Sequence, residues 1–181
     1  MRKFSKATDS TINKKIELMI KTINRTDSYL NSANTKSTIL LSLSSALIAA
    51  IAINSDKILQ FVHNADDKAF LVILMVLIIF LLIGSLLFSL NGITPYIKKS
   101  ESANTFSFVD VAKNYSQLDD YRSQFNSTSS KVLLNQLMGL NHNLSKALVV
   151  KYERQILAIT CLEAAAYLLG FSIYVIILAN S

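Results

Sequence analysis

Ala69–Leu90 reads AFLVILMVLIIFLLIGSLLFSL, twenty-two consecutive residues without a charge. A helix rising about 1.5 Å per residue would carry this stretch across the roughly 30 Å hydrocarbon core of a bilayer. Inside lipid the backbone must satisfy its own hydrogen bonds, which leaves the helix as the conformation for such a run. A core helix of a water-soluble protein would keep a polar face, and this one has almost none. A chain of 181 residues is also too short to bury such a helix on all sides. The stretch therefore predicts a membrane span. Asn91, Gly92 and Pro95 mark its end, since Gly and Pro stop helices.

Composition agrees. Hydrophobic residues make up 51% of the chain and charged residues 17%, and mean hydropathy is +0.39, so charge is sparser than in a soluble domain. One proline and four glycines suit a helical chain. Cys161 has no intrachain partner and lies in an apolar run, where it reads as a packing residue.

Two further apolar runs flank the first. Thr38–Ile53, TILLSLSSALIAAIAI, extends with Ser37 and Asn54 to the lower length limit of a span. Its Ser42, Ser44, Ser45, Ala46, Ala49 and Ala50 allow close helix approach, which predicts the innermost span, packed on neighbours rather than on lipid. Ile156–Ala179 holds one charge, Glu163. Glu163, Tyr167, Gly170 and Tyr174 recur at helical spacing and form one polar and small face. An ionisable group in a bilayer faces other protein or water. The face reads as an interhelical hydrogen-bonding seam or, alternatively, as a pore lining or ion-sensitive contact. Its carboxyl lies about two turns into the span, which favours the seam.

The hydrophilic segments are helical in pattern. After MRKFSK the chain stays polar, unlike a cleaved signal peptide. Within residues 1–36, Ile12, Ile16, Met19, Ile20 and Ile23 recur among Lys14, Lys15, Lys21 and Arg25. This predicts a basic amphipathic helix starting at Asp9 or Ser10, lying on anionic lipid or packed on a partner helix in an oligomer. The apolar face lacks Trp and Phe anchors, which favours packing. Residues 55–68 read as a connector. Its His63, Asp66 and Asp67 are ordinary loop composition rather than a metal set. In residues 96–155, Ser100–Thr105 and Asn126–Ser130 read as loops. One or two short helices lie between them, and a longer helix starts near Lys131 under a Ser129–Ser130 cap. That last helix is expected to run on into the third span. His142 reads as a solvated helix residue.

Charge sets the topology. Eight Lys or Arg precede the first span, two lie in the connector, eight lie between the second and third spans, and none follow. By the positive-inside rule the N-terminus and residues 96–155 are cytoplasmic, and the C-terminus is outside. The predicted fold is an all-α membrane protein. It has a 1–36 amphipathic helix, a 37–95 transmembrane hairpin, a 96–155 cytoplasmic helical region and a 156–181 third transmembrane helix. Three helices cannot enclose a pore, so a homo-oligomer is expected. No nucleophile, metal set or acid-base pair stands out, so no enzyme and no cofactor is expected.

Short motifs in this order resemble one family. Asn34-Thr35-Lys36-Ser37, followed by Ile39-Leu40-Leu41, is similar to the Asp-x-Lys-Ala-x-x-Leu-Leu lead-in of the transmembrane effectors of Pycsar anti-phage defence, the PycTM family, which share a layout with SLATT effectors. Pro95, Phe106 with Phe108, and Tyr121 stand where that family has a Pro, an aromatic segment and a helical Tyr. Gln136 and Leu144–Tyr152 fit its Gln…Leu-Ser-x-x-x-x-x-Lys-Tyr pattern. The resemblance covers roughly residues 28–178. One departure is Asn34 in place of the usual Asp, which leaves open what a carboxylate would do there.

The resemblance implies a bacterial inner-membrane protein that answers a cyclic nucleotide, cCMP or cUMP, made by a partner cyclase on phage infection. Activation would impair the membrane and stop growth of the infected cell. Basic and aromatic residues that could hold a phosphate and stack a base are then Tyr121 and Arg122, with Lys146, Lys151 and Tyr152 next. Two rival functions remain open: a membrane scaffold or partner subunit, and a holin-like lysis protein. No nucleic-acid partner is expected.

Overall fold

The computed structural model describes residues 2–95 and 104–180, with side chains from Ser10 onward. It is about 90% helical, with no strand among the described residues. The charge-free run lies within α2, Ala65–Ile93. Before it, α1 runs without a break from Arg2 to Gln60. After it come two short helices, α3 (Phe108–Asn114) and α4 (Leu118–Ser127), and then the long α5, Ser130–Ala179. α1, α2 and α5 are each long and apolar enough to cross a membrane.

Three boundaries differ from expectation. The amphipathic helix and the first span are one helix, because no Gly or Pro interrupts residues 2–60. Since α1 already runs from Arg2, neither Asp9 nor Ser10 starts it. The connector shrinks to residues 61–64, where the Asn64 side chain accepts the Asp66 amide at 3.1 Å, with Asp66 and Asp67 in the first turn of α2. The loop expected over Ser100–Thr105 lies outside the described residues up to residue 103. The continuation of the last hydrophilic helix into the third span is present as α5. Its first intrahelical bond runs from the Leu133 amide to the Ser129 carbonyl, 2.9 Å.

Contacts divide the chain into two units, Met1–Asn31 with Pro95–Val149, and Ser32–Thr94 with Val150–Ser181. The second unit is the membrane bundle of α1, α2 and α5. Its core joins Ile51 and Val62 to Leu71, Met75, Ile78 and Leu82 of α2 and Ala165 of α5. Close approach is made by small residues. The Ser44 hydroxyl donates to Ser85 Oγ at 3.0 Å in a buried contact between α1 and α2, and Cys161 Sγ lies 3.4 Å from where a Cβ on Gly84 would sit. α1 and α5 run parallel here. Gln155 reaches Ala33 and Ser37 at one end, and Asn180 Nδ2 donates to the Phe61 carbonyl at the other, 2.8 Å.

The first span is not innermost within a single chain. Ser37, Ser44 and Ile51 are buried, whereas Ser42, Ser45, Ala46, Ala49 and Ala50 are exposed. Small residues permit close contact, but they lie on both sides of α1, and one chain has helices to cover only one side.

In the first unit, Ile23 and Thr26 of α1 are buried, and the Thr26 hydroxyl donates to Asn141 Oδ1 of α5 at 3.2 Å. At Thr26 the amphipathic helix is bonded to the chain's own α5, whereas the spacing points to a partner helix in an oligomer. Ser107 caps α3, accepting the Asp110 amide, with Val109 and Asp110 buried beneath.

Candidate functional site

In the first unit, Gln136 of α5 and Tyr121 of α4 converge on Asn104 and Thr105, both 2% exposed. Asn104 Nδ2 donates to the Gln136 carbonyl, and the Thr105 hydroxyl donates to Gln136 Oε1, each at 2.7 Å. Asn104 Oδ1 accepts the Phe106 amide at 2.9 Å, closing an Asx turn ahead of α3. From α4 the Tyr121 hydroxyl donates to the Thr105 carbonyl at 3.1 Å. Two residues that carry the family resemblance therefore meet here: Gln136 bonds both Asn104 and Thr105, and Tyr121 bonds Thr105.

Aromatic rings surround this knot. Tyr121 meets Tyr115 with centroids 5.5 Å apart and Phe125 at 6.1 Å, and Phe125 meets Phe106 edge-on at 6.0 Å. Phe108, grouped with Phe106 in the sequence, is exposed instead. One face of α4, with Leu118, Tyr121, Arg122, Phe125 and Asn126, lines a shallow depression of about 210 Å³. Arg122 lies at its rim, exposed, and donates from Nη1 to Asp119 at 3.2 Å. A solvated pair of this kind holds its partner weakly. The depression thus has an aromatic wall and a guanidinium that can be recruited by a phosphate. Lys146 is exposed on α5 and does not line it.

In the second unit the structure brings together two motif residues 117 positions apart. The Lys151 ammonium, 7% exposed, donates to Asn34 Oδ1 at 2.9 Å, to the Gly92 carbonyl at 2.5 Å and to the Thr94 carbonyl at 3.2 Å. Burial pulls its pKa below the usual lysine value, because desolvation disfavours the charged form. One turn on, Gln155 Nε2 donates to the Ala33 carbonyl and to Ser37 Oγ. Thus α5 clamps α1 and the C-terminal end of α2, whose last carbonyls have no intrahelical donor and are met here by a cation. A Cβ on Gly92 would lie 2.7 Å from Ser37 Oγ, so only glycine fits that approach without a shift.

The sequence left open what a carboxylate would do at position 34. The geometry answers for the asparagine: its side-chain oxygen is one acceptor of a buried lysine. The Lys151 nitrogen points into the chain and already has three acceptors there. Tyr152 is half-buried, and Lys36 is exposed.

Glu163, Tyr167, Gly170 and Tyr174 all lie on the exposed side of α5, with Tyr167 81% exposed. The buried side is Lys151, Gln155, Ala158, Ala165 and Ser172. The polar face therefore does not make its seam with α1 or α2 of the same chain.

Sequence reasoning missed Asn104, Thr105, Gln155 and the packing role of Gly92. Gln155 had a signal, since it stands four residues after Lys151 and so shares its helical face. Asn104 offered only a local turn with Phe106, and the partners on α4 and α5 that hold Asn104 and Thr105 are 16 to 32 residues away.

The family model for the Pycsar effector protein domain, PycTM, matches residues 18–179, nearly the whole chain. The chain belongs to the PycTM family. No curated protein and no solved structure matches it.

Proposed function

From membership of the PycTM family, a group of Pycsar anti-phage defence effectors, we propose that this membrane protein is switched on by a cyclic nucleotide and then impairs the inner membrane of the infected cell. The observation that carries this reading is the α4 depression, where the Tyr121 and Phe125 rings stand beside the loosely held Arg122. A cyclic mononucleotide offers a base to stack and one phosphate charge, and such a wall complements both. Tyr121 and Arg122 are the proposed ligand contacts. Lys146 and Tyr152 are secondary, and Lys151 is retained for the helix clamp.

The chain acts without catalysis in this reading. The charge distribution supports a cytoplasmic N-terminus and a periplasmic C-terminus. Tyr121 holds Thr105, which Gln136 of α5 also holds, and α5 continues into the third span without a break. A ligand that prefers one arrangement of this knot shifts the population of α5 arrangements, and membrane integrity with it.

The test is leakage from liposomes holding the purified protein, with cyclic mono- and dinucleotides added singly. Leakage on cCMP or cUMP alone is the expected outcome. Leakage without ligand would move the protein to the holin-like class. A silent membrane with no nucleotide bound would move it to the scaffold class.

A further inference from the structure

The membrane bundle presents two outward stripes in the same register. On α5 the stripe is Glu163, Tyr167, Gly170 and Tyr174, and on α1 it is Ser42, Ala46, Ala49 and Ile53, all exposed. Both follow the spacing four, three, four, so each is a single helical face. The hydrogen bonds between parallel α1 and α5 pair residues 117 to 122 positions apart. Members of the two stripes stand 121 apart. Ser42 therefore lies at the depth of Glu163, Ala46 at that of Tyr167, and Ala49 at that of Gly170.

A carboxyl at this depth cannot remain against lipid, because an ionisable group in the span must face protein or water. Among the described residues nothing covers it. The stripes also differ in shape. The α5 face is bulky around one glycine, with no heavy atom within 4 Å of where a Gly170 Cβ would lie, whereas the α1 face is small from Ser42 to Ala49 and bulky only at Ile53. Bulky on small packs closely, but bulky on itself does not.

We propose that the Glu163 face of α5 in one copy seats on the Ser42–Ala49 face of α1 in the next. The Glu163 carboxyl then meets the Ser42 hydroxyl, the Tyr167 ring fits over Ala46, and the backbones approach closest at Gly170 and Ala49. The contact is head-to-tail. Copies of one chain share one orientation in the membrane, so such contacts repeat from copy to copy in the bilayer plane, and they form a ring where the rotation closes. The seam concerns the membrane bundle alone and holds whether or not a nucleotide acts on the other unit.

Cysteine cross-linking of the full chain in liposomes tests it. In a Cys161→Ser background, Ala49→Cys and Gly170→Cys are made in separate chains carrying different tags. A disulfide needs Cβ atoms within roughly 4.5 Å. Mixed chains are expected to give a covalent heterodimer, and either variant alone none. Ala46→Trp, placed in the Ala49→Cys chain, is expected to abolish the band. Self-pairing of Gly170→Cys without the mixed product would overturn the seam. So would a band that survives Ala46→Trp, or no cross-link in any combination with and without each nucleotide. Nucleotide-dependent leakage, read on the same liposomes, separates loss of the seam from loss of the proposed gating.

Discussion

Lys151 and Arg122 are both cations in the segment between the second and third apolar runs, yet they sit in opposite environments. Lys151 is buried, with three acceptors drawn from α1 and the end of α2. Arg122 is solvated and holds one exposed carboxylate. A buried cation already surrounded by acceptors fixes helices, because losing it would leave those acceptors unpaired. A solvated one costs little to redirect and so remains open to a ligand. Residue type does not separate these roles, but burial and partner count do.

The strongest way to break this contrast is Lys151→Met. It strands Asn34 Oδ1 and two backbone carbonyls, and is expected to cost on the order of 3 kcal/mol, read as a lower melting temperature in detergent. Unchanged melting would show that the clamp does not hold the bundle. Gly92→Ala attacks the same point by crowding Ser37 Oγ, with an expected loss of about 2 kcal/mol in the same assay. A loss under a few tenths would mean that Ser37 gives way freely.

Asn34→Asp sharpens the contrast from the other side. A carboxylate at this position turns a neutral acceptor 2.9 Å from the ammonium into a charged one, with an expected gain of about 1 kcal/mol. Destabilisation would show that desolvating the carboxylate outweighs its attraction to Lys151. The smallest effect on stability is expected for Arg122→Ala, within about 0.5 kcal/mol. Under the proposed function the same substitution weakens the nucleotide response of liposome leakage, whereas melting stays put. A full response would remove Arg122 from the ligand site.

The contrast also explains how far the chain could be read from its residues. The three spans were legible because apolar length is a one-dimensional property. The end of α2 was legible because Gly92 and Pro95 are local signals. The merger of the amphipathic helix with the first span followed from an absence of breakers, a weaker sign than a cap, and the helix start expected at Asp9 or Ser10 is not there, because α1 already runs from Arg2. In the candidate site, Tyr121 and Arg122 were visible by type, but Asn104 and Thr105 were not. The partners that bury them come from α4 and α5, and no local pattern announces a contact across that distance.

Sequence alone determined that this is an all-α membrane protein with three spans, since a long apolar run in lipid must satisfy its backbone hydrogen bonds within itself, which a helix does. Its motifs also carried the resemblance that family membership bears out. Tertiary structure alone decided which side of each span is inside. It turned Ser44 and Ala165 inward and Glu163, Tyr167, Ser42 and Ala49 outward. The physical reason is that a helix presents apolar or small residues on several faces, and only the approach of its neighbours selects the one that is buried.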